Sequence, residues 1–412
     1  MKVAVIGGGA AGFFSAIHVK INHPEAQVVV FEKSKKLLSK VKVSGGGRCN
    51  VTNGCTDVDD LVKAYPRGGR RLKKAFHLFN TVHTRAWFEA RGVRLYEQED
   101  GRVFPVSDDS QSIIDCLLQE VRRSGIRIAK ETSVTQITPL SEQVPDEQLP
   151  DEQLLLTFAD GQTNAYDKVI VAFGGAPTRK KLGWLEALGH KIEEPVPSLF
   201  TFNMPAAAIT QLMGLVVEQT LVDIQGTKLK SEGPLLITHW GMSGPAVLKL
   251  SAFGARMLSD MGYQFKIRVN WINESNNEII SDLLKQIIAE QPKKMLSNER
   301  PQIIPKKLWL FLLDKCDLPA DKRWEEIGKK ALNKLVNILT NDVYEVRGKT
   351  SFKEEFVTCG GISLKSVDMN TMQSKVCKNL YFAGEVLDID AITGGYNFQS
   401  AWTTGFIAGM LQ

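Results

Sequence analysis

Cysteine is sparse: six in 412 residues, at positions 49, 55, 116, 316, 359 and 377, with no pair at CxxC spacing. That excludes a disulfide framework or a zinc site and fits reduced thiols in a cytoplasmic protein. No run of about 18 apolar residues occurs, so no transmembrane helix is expected. An excess of one charge is also missing, because 51 Lys and Arg stand against 46 Asp and Glu, a formal charge of +5. So mild a balance does not argue for nucleic-acid binding by itself. There is no period typical of repeat proteins, and no metal site is expected. With 43% hydrophobic and 24% charged residues, the chain is neither disordered nor fibrous. The N-terminus, MKVAVIGGGAAGFFSAI, has the outline of a signal peptide. That reading is rejected, since cleavage would remove the best motif in the chain.

What is present is glycine in clusters. The 34 glycines are ordinary as a total, but several sit together near the two ends. The apolar run KVAVI at 2–6 reads as a buried parallel strand and leads into Gly7-x-Gly9-x-x-Gly12. A helical stretch, FFSAIHVKI, and a second strand, QVVVFEK, follow. Glu32 falls twenty residues after Gly12, at the end of that second strand. Each part has a physical task. Gly7 permits a tight turn, Gly9 lets a pyrophosphate approach the backbone, and Gly12 allows close helix–strand packing. The helix start offers free N–H groups to phosphates, and Glu32 can accept hydrogen bonds from a ribose. Glutamate here, in place of arginine, favours an unphosphorylated 2′-hydroxyl.

Three further blocks carry glycine. KVSGGGRCNVTN at 42–53 has Gly45 and Gly46 flanked by Ser44 and Arg48, a backbone that can pass a phosphate or a flavin edge. Cys49 invites a redox reading, but without a partner cysteine a packing or cofactor-contact role is preferred. VIVAFGGAP at 169–177 is a strand ending on Gly174 and Gly175. In LYFAGEVLDIDAITGGYNFQSAWTTGFIAG at 380–409, a strand ends at Gly384-Glu385 and Gly394-Gly395 opens a helix. Such a helix start would stabilise an anionic reduced flavin by about 0.3–1 kcal/mol if exposed, and more if buried. Asp388 is placed to reach a ribityl chain or a ring substituent.

The rest of the chain is read coarsely. Residues 72–91 and 110–124 look helical, IRIAKETSVTQITPL reads as a strand, and LLLTFADGQTNAYDKVIVAFGG as two strands about an Asp-Gly turn. A tandem PDEQL at 145–154 is expected to be a solvated hairpin tip. Length alone allows two or three domains; the character changes near Pro195–Pro197, and three are expected. An α/β domain built on the first βαβ unit takes 1–194 and 356–412. A β-rich domain takes 195–272 and 341–355, and a helical subdomain takes 273–340. Within the last, Ile279, Ile280, Leu283, Leu284, Ile287 and Ile288 form one expected core stripe. Pro305 opens a second helix, and Trp324, Ile327, Ala331, Leu335 and Val336 stripe a third.

The blocks at Gly7–Gly12, KVSGGGRCNVTN, ITHWGMSGPAVL and YFAGEVLDIDAITGGYNFQSAWTTG together resemble the bacterial FAD-dependent oxidoreductases of the HI0933-like, BaiN and aminoacetone-oxidase family. The resemblance spans nearly the whole chain. It implies an α/β fold in which a Rossmann-like FAD-binding domain is interrupted by a β-barrel-like domain and a helical subdomain. It also implies FAD as cofactor, with Gly7, Gly9, Gly12, Glu32, Gly45, Gly46, Arg48, Gly384, Asp388, Gly395 and Asn397 at positions matching the family's cofactor pattern. Val134 is a weaker carry-over, for an adenine contact. Ala10, Ala11, Lys33, Ser44, Gly174, Glu385 and Phe398 complete the candidate set. Phe173 departs from the pattern, because related flavoproteins often carry threonine before the glycine pair. Members are associated with amine oxidation and with reduction of unsaturated bile acids.

The expected activity is therefore an FAD-dependent oxidoreductase. A hydride passes between a small organic substrate and flavin N5, and the inserted domain roofs the flavin. Oxidase and reductase both stay open, and no catalytic residue is assigned. His239 and Tyr396 are weighed as proton donors or substrate contacts against a purely structural place. A single dinucleotide fingerprint leaves NAD(P)H at most a transient visitor. One alternative, an NAD-dependent dehydrogenase, leaves the SGGGRCN and TGGYN blocks unexplained. The other is an RNA-associated or non-catalytic flavoprotein, using Arg67, Arg70, Arg71, Lys73 and Lys74. A solvated helix face is the simpler account of that run, so no stable nucleic-acid partner is expected.

Overall fold

A computed structural model describes residues 1–140, 153–350 and 357–412 of the chain. The PDEQL repeat lies almost wholly outside the described residues, as does the proposed boundary at 355/356. The chain divides into two compact units, Met1–Ser198 with Phe352–Gln412, and Leu199–Ser351.

In the first unit, apolar runs of three to five residues form a parallel sheet: β1 (Lys2–Ile6), β2 (Gln27–Phe31), β3 (Arg127–Ala129), β4 (Lys168–Val171) and β5 (Leu380–Phe382). Their spatial order is β5-β4-β1-β2-β3, every pair parallel. Val3, Val5, Val30, Val169, Ile170 and Phe382 are fully buried, as continuous hydrophobic strands covered on both faces must be. Helices α1 (Ala10–Asn22), α2 (Gly69–Leu78), α3 (Gln111–Arg123) and α4 (Tyr396–Ala408) belong to the same unit. Small residues bring α1 and α4 together. A Cβ on Gly405 would sit 2.9 Å from the Ala11 carbonyl, and one on Gly409 2.7 Å from His18 Cβ.

The second unit is a seven-stranded sheet in the order 342–347, 264–270, 216–224, 230–238, 241–243, 201–203, 349–350, with all pairs antiparallel. Its two edge strands are consecutive in the chain and joined only by Gly348 at φ +106°, so one bent segment links both edges. That linkage is what makes the sheet barrel-like. The helices Asn277–Glu290, Lys306–Lys315 and Lys329–Thr340 share its apolar core, which buries Trp271, Trp309 and Trp324 completely. Asp342 anchors the core's polar point, accepting from Trp271 Nε1 at 2.9 Å and the Tyr344 hydroxyl at 2.5 Å, with Lys315 paired to it.

Several expectations about local structure are corrected. Residues 72–91 are not one helix. Asn80 accepts from Val82 N at 3.0 Å and starts a new helix, Thr81–Glu89. IRIAKETSVTQITPL splits at Glu131, which has φ +54°, into β3 and an antiparallel strand Val134–Pro139. The 154–171 segment is three strands rather than two. Leu154–Phe158 and Thr163–Tyr166 make the hairpin, and β4 leaves it for the parallel sheet. Trp324 and Ile327 precede the third helix, which begins at Lys329. Ile279 is 54% exposed, so only Ile280 and Leu284 of the proposed stripe are fully in the core.

Candidate functional site

Because the strands run parallel, their carboxyl ends share one edge, and the candidate residues follow from it. Gly7 follows β1, Glu32 follows β2, Phe173-Gly174 follow β4, and Gly384-Glu385 follow β5. The chain departs from β1 toward β2 on one side and returns through β4 on the other. Ligands bind outside such a switch point in open α/β sheets.

At the β1–α1 turn, Gly7 has φ +121° and a Cβ there would lie 2.4 Å from the Ala172 carbonyl. A Cβ on Gly12 would lie 1.9 Å from the Gly7 carbonyl. Gly9 differs: it has extended backbone, φ −98°, and nothing within 4 Å of where its Cβ would stand. It caps α1 without a side-chain acceptor, and no acid occupies the first turn, so the N–H groups around Ala10 and Ala11 retain their affinity for an anion. Glu32 receives Gly8 N at 2.8 Å and Ser34 N at 2.9 Å, which fixes the carboxylate and leaves a lone pair on each oxygen. Lys33 is exposed beside it. Thr132 N donates to the Glu32 carbonyl at 2.9 Å, which brings the strand opened by Val134 to this end of the sheet.

The second glycine turn, Ser44–Gly47, is left-handed at Gly45 (φ +58°) and Gly46 (φ +70°). It is held by Cys49 N on the Ser44 carbonyl at 3.0 Å and Ser110 N on the Gly47 carbonyl at 2.8 Å. The Arg48 guanidinium stacks 4.1 Å from the Phe104 ring centre, lies 3.8 Å from Asp108 and donates to the Gly45 carbonyl at 3.3 Å. In this structure its charge serves the turn itself. Cys49 is fully buried; burial pushes its thiol up to about 12, against a smaller opposing effect of the Ser44 hydroxyl. Packing, not redox chemistry, accounts for it.

The third feature is the start of α4. Gly395 has φ +88°, and a Cβ there would stand 2.2 Å from the Thr52 carbonyl. The helix and the 50–53 segment are tied by Trp402 Nε1 on the Val51 carbonyl at 2.9 Å and Thr52 Oγ1 on Gln399 Oε1 at 2.5 Å. Phe398 stacks on Trp402, with ring centres 5.8 Å apart. This helix start also has no side-chain cap and no first-turn acid. The Asn397 side chain turns inward to clamp the loop, accepting from Ala391 N at 2.9 Å and donating to its carbonyl at 3.0 Å. Asp388 accepts from Gly360 N at 3.0 Å. Tyr396 is half-buried, its hydroxyl pushed up to about 12 by burial, and its carbonyl accepts from Tyr65 at 2.7 Å. His239 is an exposed residue of the second unit, its ring against Trp240. Phe173 packs toward Trp184, 6.1 Å between ring centres, and brings no hydroxyl to its turn.

Lys40, Thr358, Ser198 and Asp390 escaped the sequence reading, although it named their partners Glu385 and Arg67. Glu385 accepts from Thr358 N at 2.9 Å and pairs with Lys40 at 2.5 Å, beside Gly174. Thr358 Oγ1 is buried with no hydrogen-bond partner. Arg67 makes a bidentate pair with buried Asp390, which also receives the Ser198 hydroxyl at 2.5 Å. Burial raises the Asp390 carboxyl, and Arg67 and Ser198 oppose that shift. Lys40 and Glu385, or Arg67 and Asp390, are hundreds of residues apart and carry no spacing signal.

An open Gly9, two uncapped helix starts and a buried unpartnered hydroxyl fit an FAD. Among the described residues, no three His, Cys, Asp or Glu side chains could hold a metal ion, and no helix is long and apolar enough to cross a membrane. This fold and edge define the class of FAD-dependent oxidoreductases with a unit inserted into a Rossmann-type domain.

The chain belongs to the family described as HI0933-like protein Rossmann domain, whose model matches residues 1–411. It is 27% identical to a 3-dehydro-bile acid delta(4,6)-reductase of Clostridium scindens, over 99% of this chain and 98% of the relative. It is also 27% identical to a ribosomal RNA dihydrouridine synthase of Haemophilus influenzae, over 98% and 96%. In fold it is similar to the 3-ketosteroid delta1-dehydrogenase of Sterolibacterium denitrificans, with TM-score 0.52, 13% identity, and 99% and 98% of the chains covered.

Proposed function

We propose that the chain is a reductase that adds two hydrogens across a carbon–carbon double bond conjugated to a carbonyl group. The observation that carries this reading is what the relatives' names have in common. A 3-dehydro-bile acid delta(4,6)-reductase and a dihydrouridine synthase act on unlike molecules, yet each name describes saturating a double bond near a carbonyl. FAD, when bound and reduced by NAD(P)H, would supply the hydride from N5, and the proton that completes the addition would come from solvent water. The α1 start holds the pyrophosphate through the N–H groups around Gly9, Ala10 and Ala11, and Glu32 takes the adenosine ribose. The α4 start, Gly395 to Phe398, presents backbone N–H groups to the pyrimidine edge, where negative charge collects on reduction. Lys40, Thr358 and Glu385 line the stretch between. Asn397 and Arg67 hold the 388–392 loop in place and act as positioning residues. NAD(P)H, as electron donor, binds only in passing, since the chain has one dinucleotide fingerprint. The inserted unit covers the ring during turnover, which makes reaction with oxygen slow.

The test is anaerobic photoreduction of the holoprotein, followed by addition of a 3-keto-4-ene steroid, a uridine-containing RNA, or oxygen. Return of the yellow colour is expected to be faster with a conjugated acceptor than with oxygen. Rapid reoxidation by oxygen alone would replace this reading with an oxidase.

A further inference from the structure

The first unit carries a cleft of about 650 Å³ between residues 62–71, residues 363–365, Glu193 and Asp388. Five cations line it: Lys63, Arg67, Arg70, Arg71 and Lys365. Two are already matched, Arg67 by buried Asp390 and Lys63 by Asp60 at 2.6 Å. Both acids of the lining are engaged too, Glu193 with Lys191 at 3.0 Å and Asp388 with Gly360 N. Arg70, Arg71 and Lys365 are exposed and, among the described residues, have no ion pair. The positive surface continues along α2 through exposed Lys73, Lys74 and His77, Lys73 being shared with Asp59. From Arg70 to His77 the helix rises about 10 Å, more than a lone carboxylate or phosphate can span.

We propose that this cleft and the exposed face of α2 bind the phosphodiester backbone of a single-stranded nucleic acid. Successive phosphates would meet Arg70, Arg71 and Lys365 in the cleft and Lys74 beyond it. The contacts are solvent-facing and largely electrostatic, so binding is transient and falls steeply with salt. This binding does not depend on the proposed reduction.

The test measures fluorescence anisotropy of a labelled single-stranded RNA of about 12 nucleotides with the FAD-loaded protein across a salt series. The expected result is a linear fall of log affinity with log salt. The double variant Arg70→Glu/Arg71→Glu should bind at least tenfold more weakly, with a slope shallower by about 1.4, two phosphates' worth for a single strand. A control pair, Arg122→Glu/Arg123→Glu at the exposed end of α3, should bind like the parent. Flavin absorbance should be unchanged in both, which separates loss of this surface from loss of the cofactor fold. Absence of binding at low salt, equal losses in the two double variants, or full competition by inorganic phosphate at millimolar levels would overturn the proposal.

Discussion

The two glycine turns of the first unit look alike as sequence and differ in physical cause. In Gly7–Gly12, Gly7 and Gly12 are glycine because the protein itself presses on them, while Gly9 has neither strain nor a neighbour. In Ser44–Gly47, Gly45 is also pressed, by Phe104 at 2.8 Å, but the other two glycines are not. Gly46 has open space but a left-handed backbone, so chain conformation alone demands glycine. A glycine required by nothing inside the protein is the better sign of a ligand. By that criterion Gly9 points to the cofactor more strongly than the whole SGGG run does.

Substitutions can break this contrast. The largest effect is expected for Gly12→Val, where a Cβ 1.9 Å from the Gly7 carbonyl forces α1 off the sheet, costing about 5 kcal/mol in denaturant unfolding. Arg67→Met leaves Asp390 buried without its cation and should cost about 4 kcal/mol; a loss under 1 kcal/mol would mean that the 388–392 loop is held by Asn397 alone. On α1, burial lowers the His18 pKa from 6.5 to about 4, while its Nδ1 meets the Phe14 carbonyl at 2.8 Å. A lowered folded pKa means that the unfolded chain binds the extra proton. Stability is therefore full above pH 6.5 and declines toward pH 4, by on the order of 3 kcal/mol. His18→Gln should flatten that decline in unfolding measured from pH 7 to 4. Gly46→Ala should cost about 1–2 kcal/mol through its left-handed backbone, and a stability equal to the parent's would contradict the reading of the second turn. The smallest signal is Cys49, whose buried thiol should resist iodoacetamide at pH 7.5 in the folded protein and react once it is unfolded.

Much of this was legible in the sequence because the signals are local. Apolar runs ending in glycine gave β1, β4 and β5, and the distance from Gly12 to Glu32 placed the acid at the sheet edge. Boundaries were lost where a single residue redirects the chain, as Asn80 and Glu131 do. The family resemblance also implied cofactor roles for Asn397, Asp388 and Arg48; within the protein their side chains meet Ala391, Gly360 and the Phe104–Asp108 pair. Contacts across long separations were illegible. Arg67 meets Asp390 and Lys40 meets Glu385 only after the parallel sheet has formed.

The most direct test is FAD titration of Gly9→Val beside the parent, with unfolding measured on both apoproteins. The account predicts one FAD per parent chain. For the variant it predicts affinity at least tenfold weaker, about 1.4 kcal/mol, with apoprotein stability unchanged. Equal FAD affinity, or a loss matched by equal destabilisation of the apoprotein, would contradict the claim that Gly9 is glycine for the cofactor's sake.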